Sequence, residues 1–111
     1  MAFKSKAVSS ISNSSGSPTT VSDAVSSSTT HVIVGLTVAN KSASNITATV
    51  TFTKDGGSAI YIVKDAPIAV GGTLVLIGGD QKLVAEEGDL LKAYASAGTA
   101  GDVILSYLIG D

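Results

Sequence analysis

The sequence contains no cysteine, no arginine and a single histidine, His31. Without cysteine the chain forms no disulfide and offers no thiolate to a metal ion, and its redox compartment is left open. Without arginine it lacks the guanidinium group that grips a phosphate with two hydrogen bonds or stacks on a base. The seven lysines are scattered along the chain, so we predict no binding to nucleic acid.

Long apolar runs are also missing. No run approaches the roughly 20 residues that a membrane-spanning helix needs, so we expect no association with a membrane. Lys4 and Lys6 are followed by serine-rich sequence, where a signal peptide would carry its apolar region. We therefore expect a protein that is made and used without passing through a cleaved signal.

Much of the chain is apolar, and few of its residues are charged. Of the 111 residues, 44% are hydrophobic and 14% are charged, and the net charge is −2. A chain of this length forms one domain, and its composition differs from that of a disordered polar segment. A surface with so few charges favours association over repulsion. The composition therefore predicts a homo-oligomer or a component of an assembly.

The stretch of residues 59–93 determines the predicted fold class. Its apolar runs are short, rich in β-branched residues, and separated by turn-forming groups that contain Gly, Pro or Asp. This pattern is typical of strands joined by tight turns. The separating groups are Lys-Asp-Ala-Pro at 64–67, Gly-Gly at 71–72, Gly-Gly-Asp at 78–80 and Glu-Glu-Gly-Asp at 86–89.

Other segments of the chain also have the period of strands. Residues 46–53 alternate apolar residues with threonine, which predicts a half-buried strand. Asp55-Gly56 then favours a hairpin turn. Residues 32–39 and 103–109 are mostly apolar or small on both faces, as in central strands. No window of a dozen residues has a sustained helical period.

We predict an all-β protein, an antiparallel β-sandwich of about eight strands with immunoglobulin-like or jelly-roll-like layering. The alternation also predicts which side chains form the core. These are Val32, Val34, Leu36, Val38, Ile46, Val50, Phe52, Ile62, Leu74, Leu76, Leu83, Leu91, Val103 and Leu105.

Residues 1–30 differ in composition from the sandwich domain predicted for residues 31–111. Residues 1–8 are compatible with a first strand, whereas residues 9–30 are mostly serine and threonine with few strongly apolar side chains. Two interpretations stay open. The segment either folds on the sandwich as an edge strand, or extends as an arm that becomes ordered against a neighbouring subunit. In the second case a chain that lacks residues 1–30 would still fold.

The acidic residues Asp80, Glu86, Glu87 and Asp89 are the first candidates for chemistry. Their spacing lacks the alternating oxygen ligands and the terminal glutamate of a calcium loop, and we interpret them as solvated turn residues. A rival hypothesis is a small hydrolase that uses Asp80, Glu87 and Asp89.

The lone His31 forms no multi-histidine metal site, and no acid is placed to complete a triad with it. The interpretation is a polar residue at the entry to a strand. Exposed aromatic side chains would indicate a carbohydrate-binding module, for which only Tyr61, Tyr94 and Tyr107 are candidates. Their apolar neighbours favour packing in the core or an interface. We predict no catalytic, cofactor or metal site, and no enzyme activity.

Five segments carry a family resemblance that covers residues 32–111. They are GLTVAN at 35–40, YIVKDAPI at 61–68, GGTLVLIGG at 71–79, KLVAEEGDLL at 82–91 and DVILSYL at 102–108. Together they resemble small β-sandwich structural proteins in the virions of tailed bacteriophages. The chain departs slightly from that pattern at residues 109–111. The shared features are strands and turns, so no functional residue carries over.

The resemblance implies a non-enzymatic protein located in the virion. Among roles in the virion we favour a capsid decoration (cement) protein that stabilises the shell through homo-oligomeric contacts and binds other virion proteins. A neck, tail or fibre component is the first alternative, and a module that binds the host surface is the second.

Overall fold

The computed structural model of the protein describes residues 2–78 and 81–110, and these residues contain nine β-strands and no helix. The prediction of an all-β protein is therefore confirmed. The strands are β1 (Ala2–Val8), β2 (Thr19–Thr20), β3 (Thr30–Asn40), β4 (Ile46–Thr53), β5 (Ala59–Ile68), β6 (Thr73–Ile77), β7 (Leu83–Ala85), β8 (Leu90–Ala95) and β9 (Gly101–Gly110).

The strands form two antiparallel sheets that enclose one core. The first sheet has the order β1-β9-β3-β6, and β7 also pairs with β3. The second sheet has the order β2-β8-β4-β5. β6 pairs with residues 36–39 of β3 and β7 pairs with residues 31–33, so the two form one interrupted edge strand. With β6 and β7 counted as one, the sheet orders are 1-8-3-6 and 2-7-4-5. This is the jelly-roll arrangement, the second of the two layerings expected.

The core lies between the sheets and is built from alternate residues of the central strands. Most predicted core residues are buried there or pack against it. Four fully enclosed side chains, Leu36, Val50, Leu91 and Leu105, come from both sheets. Alanines at 48, 93 and 95 of the second sheet are equally buried.

Two predicted core residues, Val32 and Val34, are only partly buried, and Ile33 between them is buried instead. The cause is a β-bulge, because the register between β3 and β9 shifts between Ile33 and Gly35. A bulge adds one residue to one strand and inverts the alternation on either side of it. The prediction for Val32 and Val34 was therefore wrong, while Leu36 and Val38, beyond the bulge, face inward.

The turn predicted at residues 64–67 lies inside a strand, since β5 continues through it to Ile68. Asp65 has a φ of 51°, and the pairing of β5 with β4 shifts register nearby. The Asp-Pro signal therefore marks a bulged edge strand, where Pro67 is tolerated because an edge strand has a side without ladder bonds. The hairpin predicted at Asp55-Gly56 is present, with a loop of residues 54–58 between β4 and β5.

The N-terminal segment lies on the sandwich. β1 pairs with β9 along its whole length, and β2 pairs with β8. The intervening residues add three buried side chains, Ile11, Val21 and Val25, to the core. Residues 2–30 thus supply an edge strand and part of the core in the structure of the single chain.

Candidate functional site

The buried carboxylate of Asp89 connects two turns at one end of the second sheet. Its Oδ2 accepts hydrogen bonds from Lys54 Nζ at 2.7 Å and from the backbone N–H of Glu86 at 2.8 Å. Its Oδ1 accepts from the backbone N–H of Asp55 at 3.0 Å. Lys54 Nζ also donates to Glu86 Oε1 at 2.9 Å. One carboxylate thereby joins the β4–β5 loop to the turn before β8.

These contacts determine the ionisation of the pair. Burial would raise the pKa of Asp89, but the hydrogen bonds from Lys54 and from the backbone N–H groups of Glu86 and Asp55 outweigh it and lower the pKa. The hydrogen bonds to Asp89 and Glu86 raise the pKa of Lys54. Both partners are therefore charged at neutral pH.

The amine of Lys54 lies next to the carboxyl group of Asp89, with the carboxylate of Glu86 beside it. In some proteins, groups in such an arrangement condense to form an amide bond. That reaction requires a neutral amine and a protonated acid. Here the pKa of Lys54 is raised and that of Asp89 is lowered, and the Lys54 side chain is 51% exposed. The arrangement favours a salt bridge between the two turns over a covalent bond.

The acidic residues that we interpreted as solvated turn residues therefore differ in their exposure. Asp89 is buried, so the interpretation was wrong for this residue, whereas Glu86 and Glu87 are exposed. Asp80 lies outside the described residues. Asp89 was missed because the donors that satisfy its carboxylate include Lys54 and Asp55, more than 30 residues away in sequence.

A second polar group surrounds His31, which is buried near the start of β3 and stacks on Tyr107 with ring centroids 4.5 Å apart. The Tyr107 hydroxyl donates a hydrogen bond to Asp23 Oδ2, and Lys6 Nζ donates to Asp23 Oδ1 at 3.0 Å. Lys6 belongs to β1 and Asp23 to the segment after β2. The group therefore ties the N-terminal segment to β9.

Burial and the hydrogen bond to Asp23 raise the pKa of Tyr107 to about 12. The hydrogen bonds from Tyr107 and Lys6 lower the pKa of Asp23. At neutral pH Tyr107 is thus a neutral donor and Asp23 a charged acceptor, which is the pairing that stabilises the contact.

The three tyrosines have different environments. Tyr107 is buried and Tyr94 is partly buried, in line with the packing role predicted for them. Tyr61, on the edge strand β5, is 52% exposed, so packing in the core was wrong for it, and packing in an interface stays a prediction. The Lys64 ammonium lies 5.2 Å from the centre of the Tyr61 ring. Both lie on β5, which among the described strands is at the edge of the second sheet.

The outer face of the first sheet carries apolar side chains on all of its strands. Because Val103, Leu105 and Tyr107 of β9 point into the core, the residues that alternate with them point outward. One outward row crosses four strands and is apolar throughout. It consists of Phe3, Leu108, Val32 and Val84, each directly paired with the next.

A second row, four residues earlier in β9, crosses the same face. It consists of Ala7, Ile104, Thr37 and Val75. Between the two rows lie Ser5, Ser106 and Gly35, together with Val34 of the bulge. None of these residues is charged. Phe3, Val84, Ile104 and Val75 are each at least half exposed, at 78%, 50%, 55% and 63%.

The outer face of the second sheet differs in chemistry. There Thr51 of β4 pairs with Lys92 of β8 and with Tyr61 of β5, and Thr49 pairs with Tyr94. Thr49 is buried, and its hydroxyl accepts a hydrogen bond from the backbone N–H of Asp65 at 3.0 Å. This face thus combines threonine hydroxyls with the charge of Lys92, unlike the two rows on the first sheet.

In the described part of the chain, no three His, Cys, Asp or Glu side chains lie close enough together to hold a metal ion. Residues 2–78 and 81–110 likewise contain no helix able to cross a membrane. Comparisons of the chain with models of known protein families, with curated proteins and with solved structures find no match.

Proposed function

We propose that the protein is a non-enzymatic structural component of a tailed-bacteriophage virion, and specifically a capsid decoration protein. The observation that carries this proposal is the uncharged outer face of the first sheet, which spans four strands and exposes Phe3, Val75, Val84 and Ile104. Monomeric soluble proteins rarely leave so continuous an apolar surface open to water. A protein that functions within an assembly covers such a surface with a partner.

Two further observations support the proposal. The motifs at residues 35–40, 61–68, 71–79, 82–91 and 102–108 resemble those of small virion structural proteins. The jelly roll also occurs in viral capsid domains. A shared fold is only an analogy, because one fold serves many functions.

Charge is compatible with a role in many copies. The net charge of −2 is small for a chain of 111 residues, so that crowded copies on a shell repel one another weakly. The polar groups with shifted pKa values, Asp89–Lys54 and Tyr107–Asp23, serve contacts between segments of this chain. They leave the outer face of the first sheet free for a partner.

The copy number per virion tests the proposal. Quantitative mass spectrometry of purified virions, normalised to the major capsid protein, is expected to give hundreds of copies. A dozen copies or fewer would contradict decoration and favour a neck, tail or fibre component. Absence of the protein from purified virions would contradict a role in the virion altogether.

A module that binds the host surface is a second candidate, favoured by the exposed ring of Tyr61 beside Lys64 on the free edge of β5. Aromatic rings of this kind pack on the apolar faces of sugars, and the jelly roll also occurs in lectins. Glycan-array binding that Tyr61→Ala abolishes would support this candidate. An array without binding would remove it.

A further inference from the structure

We propose that the outer face of the first sheet is a self-association surface, on which two copies of this chain pack face to face around a two-fold axis. The inference deepens the proposed function because it names the partner of the apolar face. The composition and geometry of the face carry it, and they do not depend on the virion assignment.

The size of the face meets the requirement of a small dimer. The face is four strands wide at about 4.8 Å per strand, and β1 along its edge is seven residues long at about 3.3 Å per residue. These dimensions give a surface of about 19 Å by about 23 Å. Two such faces with corrugated side chains bury roughly 1,000 Å² in total when they meet, which is the lower limit for a specific interface.

The chemistry of the face selects its partner. Residues of the rows that contain Leu108 and Ile104 are uncharged, and most of them are apolar. A charged partner surface would lose its hydration there without gaining an ion pair. A second copy of the same face is uncharged and apolar, so two copies meet without like-charge repulsion. An isologous contact of this kind is the commonest form of homo-oligomer.

The charged residue of β9, Asp102, lies at one end of the strand and forms a salt bridge with Lys41 at 2.8 Å. Lys4 and Lys6 alternate with the outward residues of β1 and therefore lie on the other side of the sheet, where Lys6 pairs with Asp23. The apolar rows thus end at a charged pair at one end of β9, and polar residues at the rim are usual in a protein interface.

A charge placed in one of the two apolar rows of the face tests the inference. Ile104 is 55% exposed in the single chain, so Ile104→Lys is expected to leave the monomer folded while placing two lysines in the dimer interface. Sedimentation equilibrium over a concentration series is expected to give a dimer for the unaltered protein and at least tenfold weaker dimerisation for Ile104→Lys. The matched control is Thr47→Lys on β4 of the second sheet, which should dimerise as the unaltered protein does.

The absence of cysteine allows a positional test that does not depend on loss of association. Ser106 lies between the two apolar rows, and Ser106→Cys places the only thiol of the chain there. Under mild oxidation it should form a disulfide-linked dimer much faster than Thr47→Cys. Equal rates for the two variants would contradict contact through this face.

The outcomes also separate this inference from the proposed function. A protein that stays monomeric at hundreds of micromolar but is present in hundreds of copies per virion would overturn self-association and leave the decoration role standing. The same is true if Ile104→Lys abolishes binding to capsids without altering the oligomeric state, because the face would then contact the shell. A dimer that Ile104→Lys dissociates, from a protein absent from virions, would support the inference and overturn the proposed function.

Discussion

Asp89 shows how one buried carboxylate determines the geometry of two turns. It lies in the turn just before β8, and its oxygens accept hydrogen bonds from the backbone N–H groups of Asp55 and Glu86 and from the ammonium group of Lys54. Hydrogen bonds to a charged group contribute more to stability than those between neutral groups. Asp89 thus compensates for its own burial by ordering the chain around it.

Asp89→Asn is expected to lower the free energy of unfolding at neutral pH by about 1.5–3 kcal/mol, the range for hydrogen bonds to a charged group. The asparagine NH₂ group would oppose a backbone or lysine donor, so at least one contact is lost. Urea denaturation measures the change. Glu87→Gln, at an exposed neighbour, is the control and should remain within about 0.5 kcal/mol of the unaltered protein. Equal stability of the two variants would show that Asp89 is not a structural carboxylate.

The contribution of Asp89 should also depend on pH. Its pKa in the folded protein is lower than 3.8, the value without the fold, so its stabilising effect is complete above that value and is lost as the pH falls through the lower, folded value. The stability difference between the unaltered protein and Asp89→Asn should therefore shrink between about pH 5 and about pH 2. Denaturation at several pH values measures it. A difference that stays constant over this range would contradict the assignment.

At the scale of elements, bulges and turns determine which side chains face the core. The bulge in β3 moves Ile33 inward and turns Val32 to the outer face, where it joins the row that contains Leu108. A regular strand would have buried Val32 in place of Ile33. The apolar outer face of the first sheet is partly a consequence of this one extra residue.

Two glycines in equivalent turns provide a matched test of local packing. Gly71 and Gly88 have positive φ values of 74° and 85°, and each precedes a residue whose N–H closes a turn. A Cβ on Gly71 would meet open space, whereas one on Gly88 would lie 2.3 Å from Cγ of Asp55. Alanine at either position would have an unfavourable positive φ, but only alanine at position 88 would also clash with Asp55.

Gly71→Ala is expected to lower stability by about 1–2 kcal/mol, the penalty for a left-handed residue with a Cβ. Gly88→Ala should cost clearly more, because Asp55 has to move and its backbone N–H bonds to Asp89. Thermal unfolding of the two variants measures the difference. If Gly88→Ala proved no worse than Gly71→Ala, the close contact between the two turns would be absent in solution.

At the scale of the whole molecule, the N-terminal segment is part of the folded unit. Ile11 and Val21 are fully enclosed, and Lys6 and Asp23 contact each other on the sandwich. Removing residues 1–30 would uncover β9 along one edge and open the core. We therefore expect the truncated chain to lose cooperative unfolding, contrary to what an independent arm would allow.

Ile11→Ala tests whether the N-terminal segment packs on the sandwich, without a truncation of the chain. A buried isoleucine replaced by alanine costs about 2–5 kcal/mol through lost burial and the cavity left behind. Val70→Ala, at a residue 54% exposed, is the control and should cost well below that range. Chemical denaturation of both variants gives the comparison. An Ile11→Ala protein as stable as Val70→Ala would show that residues 9–30 do not pack on the sandwich in solution.

The sequence by itself determined the fold class, the position of most strands and the hairpin at Asp55-Gly56. Alternation in residues such as 46–53 reports on a single strand, and turn chemistry involves a few adjacent residues, so both are readable locally. Most core residues followed from the same alternation, including Leu36, Val50 and Leu105.

The tertiary structure alone decided the burial of Asp89, the inward face of β3 and the place of residues 2–30. Each depends on partners distant in sequence: Asp89 on the β4–β5 loop, the β3 bulge on pairing with β9, and Ile11 on the space between the sheets. The candidate surface has the same origin. Phe3, Leu108, Val32 and Val84 come from four strands, and only the order of those strands makes them neighbours.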